Sequence, residues 1–242
     1  MLFAVIIAAL AVGAGGVAAV TGFGIGSLLT PALALKTGTK LAVAAITIPH
    51  LVGSAQRLWL LRRNVDRHVL LGFGVASAVG GLIGALAHVW ISSRALAVLF
   101  GALVIFAGLA ELTGWVQHVR WTRSAAWIAG ALSGALGGLV GNQGGIRTAA
   151  MLGFDVPKES FVATSAAIAL FVDGARLPVY LATQSRDIVG IWPYVVVITL
   201  GVILGTLLGT RLLARLPQRA FRRAIGTLLV ALGLYMTVAG RG

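Results

Sequence analysis

Apolar stretches of about 20 residues, with no alternation of polar and apolar positions, follow one another along nearly the whole chain. In hydrocarbon every backbone N–H and C=O must find its partner inside its own segment or across a closed barrel. Without a period of two the barrel falls away, and membrane-spanning helices remain. Composition agrees, because 59% of the 242 residues are hydrophobic and 10% are charged, too little polar surface to cover a water-soluble globule. The net charge of +13 is not a nucleic-acid footprint, since the Lys and Arg residues lie between apolar runs or at their ends, where orientation signals sit. Absence of cysteine removes disulfides, thiolate catalysis and cysteine metal sites. No G-x-x-x-x-G-K-[ST] loop is present, as Gly38-Thr39-Lys40 lacks the upstream glycine, and this disfavours ATP-driven pumping. No cofactor or metal is implied. The opening run from Leu2 to Val20 lacks the basic start of a signal peptide and reads as a span of the mature protein.

Apolar segments fall at 2–20, 22–35, 41–61, 68–90, 95–116, 124–140, 143–154, 160–182, 188–210 and 220–239. Two of them, 22–35 and 143–154, are short and open on glycine clusters, the pattern of half-helices or re-entrant pieces. The order of events repeats. Gly22-Phe23-Gly24-Ile25-Gly26 matches Gly141-Asn142-Gln143-Gly144-Gly145 at an offset of 119 residues, and the same offset superposes Arg57 on Arg176. The expected fold is an all-α polytopic membrane protein of two homologous repeats, residues 1–121 and 122–242, each with about four long helices and one short glycine-initiated helix.

Five inserted segments per half is an odd number, so the second repeat is expected to be inverted relative to the first. One side then carries Arg62, Arg63, Arg67, Arg120, Arg123, Lys158, Arg215, Arg219, Arg222 and Arg223, the other Lys36, Lys40, Arg94, Arg186 and Arg241. The positive-inside rule makes the first side cytoplasmic, giving a multi-pass protein of the cell (inner) membrane with both termini on the non-cytoplasmic side. Short segments re-entering from the opposite face would instead make the repeats parallel and erase this bias. Glycines four residues apart, such as Gly80 and Gly84 or Gly201, Gly205 and Gly209, are packing features that let helices approach closely in lipid. A homo-oligomer is compatible with such a chain.

The glycine clusters are denser than packing requires. An interrupted helix leaves free N–H groups at a positive dipole end, and transporters aim such ends at anionic substrates, which makes Gly22, Gly24, Gly26, Gly141, Asn142, Gln143, Gly144 and Gly145 substrate-site candidates. The alternative is a pair of flexible bends with no ligand. On 41–61 the residues Thr47, His50, Ser54 and Arg57 recur every three or four positions and share one face, while 160–182 offers Ser165, Asp173 and Arg176. Charge inside a span is costly, about 2.5 to 3.5 kcal/mol on insertion scales, so it has a function or a partner. Arg57 and Arg176 are therefore anion-path candidates, on straight helices placed toward opposite faces and serving successive positions. Against this, Arg57 can snorkel beside Arg62 and Arg63, and Arg176 can serve as an i, i+3 partner of Asp173. Arg147, whose repeat counterpart is Leu28, is a further anion contact or an interfacial anchor. His50 and Asp173 are the proton-coupling candidates, with a packing histidine as the plainer reading of His50.

Taken together, Gly22-Phe23-Gly24-Ile25-Gly26 with Pro31 five residues on, the second copy at 141–145, and Val162-Ala163-Thr164-Ser165 resemble the TauE/SafE family of sulfite exporters over essentially the whole chain. The resemblance implies secondary transport of sulfur oxyanions or organosulfonates such as sulfite and sulfoacetate. Ala150, where the family pattern has proline, and Asn142-Gln143 within the second glycine turn depart from that pattern and bear on the substrate more than on the fold. A passive anion channel and a non-transporting membrane assembly protein are the competing readings. An intramembrane enzyme is disfavoured, because six acidic residues, four histidines and no cysteine offer no coherent acid, base and nucleophile set.

Overall fold

The structure is a computed structural model and describes residues 2–114, 123–141, 144, 147, 151, 157–212 and 218–239. Among these residues every regular element is helical: α1 (Leu2–Thr21), α2 (Ile25–Thr37), α3 (Thr39–Leu61), α4 (Arg67–Trp90), α5 (Ser93–Thr113), α6 (Arg123–Val140), α7 (Lys158–Gly190), α8 (Trp192–Leu212) and α9 (Gln218–Ala239). Helices α1, α4, α5, α7 and α8 are long and apolar enough to cross a membrane. Large side chains such as Val79, Ile83, Leu200 and Leu204 point outward, whereas His50, Arg57, Arg147, Asp173 and Arg176 are buried. That inversion of the soluble-protein pattern is what a lipid solvent selects, and the chain is a multi-pass membrane protein.

Small residues set which helices touch. A Cβ on Gly84 would lie 2.0 Å from the Ala135 carbonyl oxygen, and one on Gly134 would lie 1.9 Å from that of Ser77, so α4 and α6 pack backbone to backbone and in parallel. The same holds for α1 and α8, where Gly205 meets Val12 and Gly209 meets Gly16. In α5 and α9 the order reverses: Gly101 faces Gly233 and Gly108 faces Gly226, an antiparallel pair. In lipid, where apolar surface drives no association, such close approach supplies the dispersion contact that holds helices together. A third kind of contact is polar, because α3 and α7 run antiparallel with His50 beside Asp173 and Asp66 beside Thr164.

The first glycine cluster turns the chain back on itself. Gly22 and Gly24 have φ of 80° and 129°, and a Cβ on Gly24 would lie 2.9 Å from Val17 Cγ1, so α2 starts alongside the last turns of α1. At its other end Lys36 hydrogen-bonds Tyr194 and its Nζ lies 5.2 Å from the Phe3 ring centroid, returning α2 to the level where α1 began. With 13 residues α2 is roughly 20 Å long, short of the roughly 30 Å hydrocarbon thickness, as its glycine-initiated start led one to expect.

The polar stretch 183–187, expected to separate two spans, does interrupt the helix: Gln184 has φ −136° and ψ 17°, a kink across which the long first part of α7 meets a short final piece ending at Gly190. Ser185, Arg186 and Asp187, just past the kink, are exposed. The segment expected at 143–154 lies mostly outside the described residues, with Gly144, Arg147 and Met151 helical.

Candidate functional site

Two helix ends meet inside the protein. α1 stops at Thr21 and α6 at Val140, and each is followed by a glycine in the left-handed region, Gly22 at φ 80° and Gly141 at φ 76°, whose N–H closes the last helical turn on Ala18 and Gly137. Only a residue without Cβ takes this conformation freely. The Thr21 hydroxyl accepts from Phe23 N–H at 3.3 Å and lies within hydrogen-bond distance of the Val17 and Phe23 carbonyls, fixing the first turn. The two turns touch: a Cβ on Gly26 would lie 2.5 Å from the Gly141 carbonyl oxygen, and one on Gly144 would lie 2.6 Å from Phe23 Cβ. α2 begins at this junction with Gly24 as its N-cap and no side chain capping it.

Two guanidinium groups converge on the junction. Arg57 is 2% exposed and donates from Nη2 to Ser54 Oγ at 2.9 Å, a bond its i, i+3 spacing on α3 provides. Gly53 lets α3 approach the first residue of α2, since a Cβ there would lie 2.9 Å from Ile25 Cδ1 and 3.7 Å from Arg57 Nη1. Arg147 is 1% exposed and donates from Nη2 to the Gly22 carbonyl at 3.3 Å, an oxygen it shares with the Ser165 hydroxyl at 3.2 Å. Among the described residues neither guanidinium has a hydrogen-bond partner for its Nε or Nη1, and the two are close enough for their charges to repel. Arg57 is buried and does not snorkel, whereas Arg62, just past the end of α3 and stacked 4.3 Å from the Trp59 ring centroid, is exposed.

Arg176, by contrast, is fully engaged. Its Nε and Nη2 hold Asp173 Oδ1 at 3.0 and 2.8 Å, and its Nη1 donates to the Gly137 carbonyl. The other Asp173 oxygen lies 2.6 Å from His50 Nδ1. Two neighbours complete the capping of α6, Tyr180 donating to the Gly138 carbonyl and His88 Nδ1 donating to that of Leu139 at 2.7 Å. A helix that stops inside a membrane leaves its last carbonyls short of donors; Tyr180 and His88 supply those for Gly138 and Leu139, and Arg176 adds a second donor to Gly137, which already accepts from Gly141 N–H.

The sequence-based candidates therefore divide. Gly22, Gly24, Gly26, Gly141, Gly144, Arg57 and Arg147 come together at the junction of the two turns, with His50 and Asp173 beside them. Arg176 is in the same region but serves Asp173 and the end of α6, the i, i+3 role set out as the alternative to an anion contact. Asn142, Gln143 and Gly145 lie outside the described residues. Tyr180 and His88 were not singled out. Tyr180 does follow Arg176 by four positions on one helical face, a signal that was there to be read. His88 sits in an apolar span, and its bond to the carbonyl of Leu139 arises only from the packing of α4 on α6.

A family model described as Sulfite exporter TauE/SafE matches residues 7–236. No curated protein and no solved structure gives a match.

Proposed function

The chain belongs to the sulfite exporter TauE/SafE family, a family of membrane transporters and not of enzymes, and from that premise we propose that it carries a small sulfur oxyanion or organosulfonate through the junction of its two glycine turns. The observation that carries this reading is the pair of buried guanidiniums, Arg57 and Arg147, with N–H groups unpartnered among the described residues and with mutual repulsion. Burying an uncompensated cation costs several kcal/mol, and here two lie together while the described buried carboxylate, Asp173, is already taken by Arg176 and His50. A dianionic or monoanionic oxyanion offsets both: the planar guanidinium fork matches two oxygens at once, and charge-assisted bonds strengthen in a water-poor interior. The uncapped start of α2 adds backbone donors and the positive end of a helix dipole.

The glycine turns then have two roles. They let the two helix ends come within backbone contact, and they place each end near the middle of the protein, where an anion must shed water whichever side it came from. Purified protein is expected to gain thermal stability from at least one of sulfite, sulfate, thiosulfate and methanesulfonate, and to exchange that anion in proteoliposome counterflow. Absence of both stabilisation and exchange with all four anions would remove the anion reading.

The repeats at 1–121 and 122–242 are part of the same proposal, with the second inverted relative to the first. Reciprocal pairing supports it: α1 with α8 mirrors α6 with α4, while α3 with α7 and α5 with α9 pair equivalent helices across the two halves. The directions support it too, since α3 opposes α7, α5 opposes α9, and α1, parallel to α8, opposes α6, parallel to α4. The face bearing Arg62, Arg63 and Arg67 is proposed to be cytoplasmic. Because the chain has no cysteine, single cysteines report without background. Arg94→Cys and Arg186→Cys should react with an impermeant maleimide in intact cells, and Asn64→Cys and Arg67→Cys only after permeabilisation. Reaction of all four from one side would sink the inverted arrangement.

A further inference from the structure

Among the groups at the junction, His50 has no task in the anion reading. Asp173 is 0% exposed and already paired with a guanidinium, since Arg176 grips Oδ1 from two nitrogens and is itself anchored to the α6 carbonyl of Gly137. Charge balance at Asp173 therefore does not call for a second cation. A neutral imidazole donates Nδ1–H to Asp173 Oδ2 at 2.6 Å and keeps Nε2 as a proton acceptor, which an amide side chain in the same place does not offer. His50 also sits against the start of α2, because a Cβ on Gly26 would lie 4.0 Å from its Cδ2. It retains 5% exposure where Asp173 has none, so His50 is the less enclosed member of the pair.

We infer that His50 and Asp173 form the proton carrier of this site, so that an anion crosses together with a proton held on the imidazole. The inference rests on the anion reading above. The step is a simple transfer: a proton from water adds to His50 Nε2, giving an imidazolium braced by the Asp173 carboxylate, and returns to water on the other side. The charge that arrives with the proton meets Arg57 from its own helix and Arg176 from α7, both of which act on His50 electrostatically. Two guanidiniums oppose that extra charge unless an anion is present, and an anion is held more weakly unless the proton is. Each therefore favours the other by the same factor. The remaining titratable groups on the elements packed around the pair sit elsewhere. Lys36 of α2 and Tyr194 of α8 are at the face where α1 begins, and His88 of α4 is bound to Leu139. Tyr180 of α7 is bound to the Gly138 carbonyl. Lys40 of α3, Arg67 and His68 of α4, Arg94 and Glu111 of α5, Arg123 of α6, Lys158, Glu159, Arg186 and Asp187 of α7 and Arg211 of α8 occupy the first or last turns of their helices, and Arg62 and Arg63 follow α3.

The test uses the full chain in proteoliposomes, with membrane potential clamped at zero and with sulfate, thiosulfate or methanesulfonate, whichever exchanges fastest, because none of these changes charge between about pH 6 and about pH 8. An imposed pH gradient should drive accumulation of that anion up to about tenfold per pH unit for one proton per anion, with a matching signal from an internal pH dye. His50→Gln should exchange the anion at a reduced rate yet accumulate none, and His50→Asn is read the same way if the glutamine variant does not fold. Wild-type protein that exchanges the anion but neither accumulates it nor moves protons overturns the inference and leaves the anion reading standing. Accumulation by the His50 variants equal to wild type overturns it as well. No exchange of any anion by the wild type removes both readings together.

Discussion

Glutamine at both Arg57 and Arg147 is expected to abolish anion binding and flux while leaving the ligand-free protein at least as heat-stable as the wild type. The two effects have opposite signs for one reason. Without an anion, the guanidiniums are buried, mutually repelling and short of acceptors, so removing their charge relieves the folded state. With an anion, each supplies charge-assisted bonds worth roughly 2 to 4 kcal/mol, so each single variant should weaken binding by about 30- to 1000-fold and the double variant should show none. Titration calorimetry for binding and detergent-phase melting for stability read the two separately. Wild-type affinity in the double variant, or a drop in ligand-free stability that parallels the loss of binding, would show that these arginines are structural.

Arg176→Gln is expected to behave in the opposite way, chiefly as a folding defect. It removes the partner that Asp173 Oδ1 holds at 2.8 Å and the donor on the Gly137 carbonyl, leaving a fully buried carboxylate with only His50. Breaking a buried pair from one side costs roughly 3 to 5 kcal/mol. Adding Asp173→Asn removes the stranded charge, so the double variant should recover much of the lost stability, with a coupling of roughly 1 to 3 kcal/mol between the sites. Melting temperature and the yield of monodisperse protein are the measurements. If Arg176→Gln melts like wild type but no longer binds the anion, Arg176 is a ligand and the division between Arg176 and the Arg57–Arg147 pair is wrong.

That division is where reading residues in a row stops. Arg57 and Arg176 are the same residue type at equivalent places in two similar segments, each with a polar residue three positions before it, Ser54 or Asp173. A serine leaves a guanidinium charged and in need of acceptors, and an aspartate satisfies it, so the different fates of the two arginines were half written in those i, i+3 neighbours. The other half was not. That Arg147 reaches the Gly22 carbonyl 125 residues away, or that Arg176 caps α6 through Gly137, depends on which helices pack together. The close pairs Gly84 with Ala135 and Gly205 with Val12 decide this by allowing backbone contact, and glycine spacing alone does not name its partner.

What the sequence by itself determined is local. A run of apolar residues about one bilayer long must be helical in hydrocarbon because its backbone has no other partner, and Gly22, Gly24 and Gly141 break that helix because glycine takes left-handed φ freely. Hence the helical membrane class, the positions of the breaks at Gly22 and Gly141, and the short α2 were legible from composition and spacing. The tertiary structure decided what those features meet. It brought two breaks 119 residues apart into contact, engaged Arg176 with Asp173 and a helix end, and left Arg57 and Arg147 buried with Nε and Nη1 groups unpartnered among the described residues. Hydropathy is a sum over neighbours in the chain, whereas the fate of a buried charge is set by the one or two groups within about 4 Å of it, and here those come from other helices.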